Sequence, residues 1–222
     1  MAAKPHRKAA RLVVAPIGVA RDAIGTLTPG CRIVGVNKGQ FSLIDIIDAV
    51  LEQVGAASVF VSTWTPGKNE INRVALLLEE RKITDFRLLV DRSFMTRHPE
   101  YLKNLWRLGM TQVRQTRTHA KFALIAAGDW RITVRTSMNF NTNPRLEQFD
   151  LDDDPVIYDF FDGVVEHFFT AVPMGNMATP KQVEQGFKSA FSVVDGDDDD
   201  PGSISWSDMS WDNLVWTEIE EA

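Results

Sequence analysis

Stretches with two different periodicities alternate through the first half of the chain, and this alternation restricts the fold more than any other feature. Phe41 to Val54 carries Leu43, Ile44, Ile47, Val50, Leu51 and Val54 at spacings of three and four, the mark of a helix with one apolar face. Ser42 offers an N-terminal cap and Gly55 a stop. Ser58 to Trp64 is then a β-rich run ended by Pro66-Gly67. Asn69 to Lys82 returns to helical spacing with Ile71, Val74, Ala75, Leu77 and Leu78, and Phe86 to Val90 reads as a buried strand. Arg32 to Val36 is a further short strand before them. Strands alternating with helices of this length predict an α/β chain with a mainly parallel sheet covered on both faces.

The pattern then changes. Pro99 to Leu108 predicts a third helix, with Pro99 in its first turn and Gly109 after its end. Val113 to Thr116, Ala120 to Ala126 and Trp130 to Arg135 are strand-like, and Gly128-Asp129 supplies a hairpin turn between the last two. Asp154 to Phe169 predicts a closing helix, with Phe160, Phe161, Val164 and Phe168 on its apolar side. The division expected is an N-terminal extension over 1–30, a catalytic domain over 31–172 and a C-terminal tail over 173–222.

The net charge of −6 conceals an asymmetry. Residues 1–149 hold 22 Lys and Arg against 12 Asp and Glu, a balance of +10, and residues 150–222 hold 2 against 18, a balance of −16. A basic body attracts polyanions, of which nucleic acid is the commonest. The tail holds the run DGDDDD over 195–200, then Trp206, Trp211 and Trp216 at intervals that suit neither a helix face nor a strand. It is expected to dock on its own body, on a second copy or on a protein partner. Cys31 is the only cysteine, which excludes an internal disulfide and a cysteine metal cluster. The basic start, with Pro16 and Gly18 interrupting its apolar part, is read as part of a cytoplasmic protein and not as a signal segment.

The stretch THAKFALIAAGDWRITVRTSMNFN, Thr118 to Asn141, carries the chemistry. His119 and Lys121 at i and i+2 face the same way on a strand, and Ser137 and Asn139 repeat that spacing at the end of the next. If the hairpin pairs these strands, an imidazole, an ammonium, a hydroxyl and an amide converge on one patch. That set suits a phosphodiester. Lys121 neutralises a phosphoryl oxygen, Ser137 and Asn139 donate hydrogen bonds, and His119 attacks or transfers a proton. Glu147 follows shortly and can hold the second ring nitrogen of a histidine. Arg114, Arg117, Arg131 and Arg135 flank these strands as candidates for a groove along a nucleic-acid backbone.

The runs HAK, TSMNFN and RLEQF together resemble the phospholipase D superfamily, whose signature is His-x-Lys, a downstream Asp, then Gly-Ser-x-Asn and a later Glu. The resemblance covers roughly Phe41 to Val172, and its wording is most similar to phage-encoded members. It implies an α/β sandwich around a mixed, largely parallel sheet. It implies a phosphohistidine mechanism with no metal or other cofactor. Two His-x-Lys motifs face each other in that family. Only one His-x-Lys here is followed by Ser-x-Asn and Glu, which implies a homodimer with His119 and Lys121 contributed by each copy. Single-motif members are often nucleases, so the expected partner is nucleic acid, DNA before RNA, in the cytoplasm of the cell or of a phage host.

Two positions depart from the family pattern. Ala126 stands where the family has its Asp, with Asp129 displaced nearby, and Thr136 stands in place of the usual Gly. These favour an alternative, a catalytically weak or inactive nucleic-acid-binding or phage assembly protein. A lipid phosphodiesterase is a weaker third reading, since no amphipathic membrane-docking helix is evident. His6, His98 and His167 lack such company, and His98 and His167 are read as structural. Trp64 ends a strand aimed at the same edge. Base stacking is open to it there, but core packing is its expected role.

Overall fold

The computed structural model describes residues 9–15, 18–97, 112–141 and 144–172. The expected helix over 99–108, His6, His98 and the acidic tail lie outside them. In chain order the elements are β1 (Arg11–Ala15), α1 (Ala20–Ile24), β2 (Arg32–Asn37), α2 (Leu43–Val54), β3 (Ala57–Thr63), α3 (Lys68–Glu79), β4 (Ile83–Asp91), α4 (Arg92–Arg97), β5 (Val113–Thr116), β6 (Phe122–Ala127), β7 (Trp130–Thr136), β8 (Glu147–Asp153) and α5 (Pro155–Ala171).

The eight strands form one mixed sheet in the order β1-β2-β8-β7-β6-β3-β4-β5. Parallel pairing is confined to its flanks, β1 with β2 and β3 with β4 and β5. From β2 through β8, β7 and β6 to β3 every neighbour is antiparallel. The expectation of a largely parallel sheet therefore fails at the centre. Two residues join β6 to β7 and ten join β7 to β8, too few for a parallel crossover.

Local sequence explains the best-formed elements. The Asp45 carboxylate accepts the Ser42 N–H at 2.7 Å and so closes the first turn of α2. Gly55, at φ 84°, ends that helix and returns its N–H to the Leu51 carbonyl at 3.0 Å. Leu43, Ile46, Ile47 and Val50 of α2 are wholly buried. They join α1, α3 and one face of the sheet in the larger core. On the opposite face Tyr158, Val165 and Phe168 of α5 meet Phe60, Leu89, Phe122 and Leu124. Alternate residues of β6 serve the two cores: Ala123 and Ile125 face the first, Phe122 and Leu124 the second.

Two strands are absent from the sequence reading. Residues 11–24, assigned there to an extension, contribute β1 at the sheet edge and α1 beside α2. In β8 the acids of EQFDLDD mask the alternation. Phe149 and Leu151 enter the larger core, while Asp150 and Asp152 point the other way. Arginines across the strands meet both: Arg135 binds Asp150 at 2.5 Å and also Asp152, and Arg32 binds Asp152 at 3.0 Å. Beyond α5, no described helix packs on that face at β1, and Leu12 and Val14 there are 80% and 77% exposed. Among the described residues no helix is long and apolar enough to cross a membrane.

Candidate active site

The register brings several strand ends to one edge of the sheet. Asn37 at the end of β2 lies opposite Glu147 at the start of β8, and Ser62 near the end of β3 lies opposite Phe122 at the start of β6. Phe122 in turn pairs with Arg135 near the end of β7, and Asp91 of β4 with Thr116 of β5. This is the edge beyond the carboxyl ends of the parallel strands, where open α/β sheets commonly bind ligands. The β5–β6 loop delivers His119 and Lys121 there, and the β7–β8 connection delivers Ser137 and Asn139.

His119 and Lys121 precede β6 instead of lying on it, since the strand starts at Phe122 and not at the expected Ala120. Three hydrogen bonds shape the approach. Asp91 accepts the Thr118 N–H at 3.3 Å, the Thr118 hydroxyl accepts the Ala120 N–H at 3.2 Å, and Ser62 Oγ donates to the Ala120 carbonyl at 2.9 Å. His119 is exposed, while Lys121 is only 9% exposed. Lys121 Nζ lies 3.1 Å from His119 Nδ1, 3.4 Å from Nε2 and 2.9 Å from the His119 carbonyl. Near-equal distances to both ring nitrogens place the ammonium over the imidazole ring, in line with neither in-plane lone pair. Burial lowers the Lys121 pKa from the ordinary lysine value, and the charge of Glu147 opposes that fall.

Ser137 and Asn139 are presented by alternation. Met138 and Phe140 turn inward and are buried. Asn37 Nδ2 donates to Met138 Sδ at 3.3 Å, Phe140 N–H to Thr63 Oγ1 at 3.0 Å, and Gly67 N–H to the Phe140 carbonyl at 2.6 Å. The exposed Ser137 donates its hydroxyl to Glu147 and accepts the Gln148 N–H at 2.9 Å. Asn139 is half-buried, and its Oδ1 is enclosed with no hydrogen-bond partner among the described residues. Within the chain Glu147 thus holds Ser137, not a ring nitrogen of His119 as expected; the His119 nitrogens face Lys121. Thr136, in place of the family's glycine, donates its hydroxyl to the Gln148 carbonyl at 2.6 Å and accepts the Met138 N–H at 3.0 Å. Ala126 pairs with Ser58 and Arg131, at the opposite end of β6 from the site.

The four arginines do not form one groove. Arg117 is exposed on the loop that carries His119. Arg135 lies near the same edge but is bound to Asp150 and Asp152. Arg131 sits at the far end of β7, donating to the Gly128 and Trp130 carbonyls at 2.9 and 2.8 Å. Arg114 lies over the Phe169 ring of α5 at 4.9 Å, and burial lowers its pKa. Three of the four therefore serve contacts within the fold. Trp64, expected in the core, is half-buried at the site, with its ring centroid 6.0 Å from that of His119 and the planes at 47°. Asn37, Ser62 and Asp91 escaped the sequence reading. Their one shared signal is a position at the carboxyl end of a strand.

No family model matches this chain, and no curated protein matches it. Among solved structures the chain is similar to the polyphosphate kinase of Porphyromonas gingivalis, at 14% identity and a TM-score of 0.46. The match covers 67% of this chain and 27% of that one, so this chain spans about a quarter of the kinase's length.

Proposed function

We propose that this protein has a phospholipase D-like sandwich fold and is a metal-independent phosphodiesterase, a nuclease working as a homodimer. The observation that carries the reading is the convergence of His119, Lys121, Ser137, Asn139 and Glu147 at one sheet edge, with Lys121 Nζ 3.1 Å from His119 Nδ1. In the reaction a ring nitrogen of His119 attacks phosphorus, forming a P–N bond as the P–O bond to the leaving alcohol breaks. The second His119, from a two-fold-related copy, protonates the departing oxygen. It then takes a proton from water, whose oxygen attacks phosphorus and breaks the P–N bond. Lys121 neutralises the phosphoryl oxygens throughout, and Asn139 donates to them from its amide. Ser137, held by Glu147 and the Gln148 N–H, is anchored beside them.

The departures at Ala126 and Thr136 bear on this less than their places in the motif suggest. Ala126 is remote from the reacting groups, and the Thr136 hydroxyl ties down the backbone that presents Ser137. The test is cleavage of single- and double-stranded DNA and RNA in EDTA, with His119→Ala as control. Cleavage by the wild type and loss of at least about a hundredfold in His119→Ala supports the reading. Equal cleavage by both overturns it. Salt-dependent binding without turnover would instead support the non-catalytic alternative.

A further inference from the structure

Trp64 directly follows β3 and meets the site from the side opposite the β7–β8 connection. Its ring lies 6.0 Å from the His119 ring, centroid to centroid, and the residue is half-buried. A hydrogen bond joins the two segments that bear these rings. Ser62, wholly buried two residues earlier on the same strand, donates to the Ala120 carbonyl at 2.9 Å. The residue after His119 is thereby tied to the strand that Trp64 directly follows, which keeps the two backbone segments together. Arg117, exposed two residues before His119, adds a guanidinium on the same loop.

An aromatic plane beside the attacking imidazole, an ammonium at the phosphorus and a further cation alongside match the repeat of a nucleic-acid strand. Base and phosphate alternate along such a strand, and proteins hold it by stacking the one and neutralising the other. A phospholipid presents no planar group to a tryptophan. A base inside a duplex is already covered on both faces, so only an unstacked one can take the ring.

We propose that Trp64 is a base-stacking platform that makes single-stranded nucleic acid the preferred ligand of this site. The position of the phosphate beside it rests on the phosphodiesterase reading. The platform selects for the presence of a base and tolerates any base, because every base offers a π-face.

The experiment compares oligothymidylate with a fully abasic deoxyribose-phosphate oligomer of the same length, in EDTA, by both binding and cleavage. Wild type is expected to bind and cleave the base-bearing strand about tenfold better or more. Trp64→Leu is expected to bring that ratio close to one, and Trp64→Phe to keep most of it. An unchanged ratio in a folded Trp64→Leu protein overturns the platform. So does equal handling of the two polymers by the wild type, a measurement that needs no variant and stands even if Trp64→Leu fails to fold. In that second case cleavage lost in His119→Ala would leave the phosphodiesterase reading intact. Base-dependent, Trp64-dependent binding with no cleavage would uphold the platform and overturn the enzyme.

Discussion

Lys121 sits where two opposing influences meet, since burial disfavours its charge and Glu147 favours it. The folded protein therefore releases this proton at lower pH than the unfolded chain does. Between the two pKa values the unfolded state binds more protons, so this residue makes stability rise with pH across that window. Activity moves the other way, because the proposed reaction needs the ammonium. Glu147→Gln removes the opposing charge and lowers the Lys121 pKa further. The alkaline limb of the pH profile of kcat/KM is expected to move to lower pH in Glu147→Gln. A limb that stays in place assigns the alkaline titration to another group. The spacing in sequence paired His119 with Lys121 and Ser137 with Asn139, but the first pair lies in the loop before β6 and the second in the β7–β8 connection, not on strands as the spacing predicts. The partner of Glu147 was not readable. Ser137 Oγ captures it through β7–β8 pairing, which brings together residues ten apart.

At the scale of elements, β8 is joined to its neighbours by charge as well as by its backbone ladder. The Asp152 side chain is 4% exposed and lies between Arg32 and Arg135. Burial raises its pKa and the two guanidinium groups pull it down. Arg135→Ala leaves that carboxylate with one cation and is expected to cost about 2–3 kcal/mol at neutral pH. With the folded pKa raised further, the contribution of Asp152 is fully present below its unfolded pKa and is lost as pH rises through the folded one. The deficit is expected to shrink in mildly acidic buffer, and urea melts of variant and wild type at the two pH values check this. A deficit independent of pH would mean that the damage lies in packing instead. The same pairs explain why β8 hid from a reading based on apolar alternation. Its polar rungs are satisfied across the sheet, and only three-dimensional neighbours reveal that. By contrast α2 was plain, because its apolar spacing, cap and stop are all local.

For the whole molecule, a single His-x-Lys followed by Ser-x-Asn and Glu in each chain makes the proposed chemistry a property of two copies. Wild type assembled with a ninefold excess of His119→Ala is expected to lose activity per wild-type chain by about tenfold, since most wild-type copies then meet an inactive partner. Activity per wild-type chain that survives such mixing would mean each copy works alone. The division into a sheet and covering helices was legible from periodicity, but the antiparallel centre was not, because strand order depends on connections that local patterns do not encode. The alternation of Ser137, Met138, Asn139 and Phe140 has one more consequence. Wet and dry sides trade places with every step along an extended chain, so this stretch is locked in length. Adding or removing a single residue would drive the hydroxyl and amide inward and leave the methionine and phenylalanine facing water. Evolution can retune this strand-end cluster by exchanging residues, but not by stretching the segment that bears them.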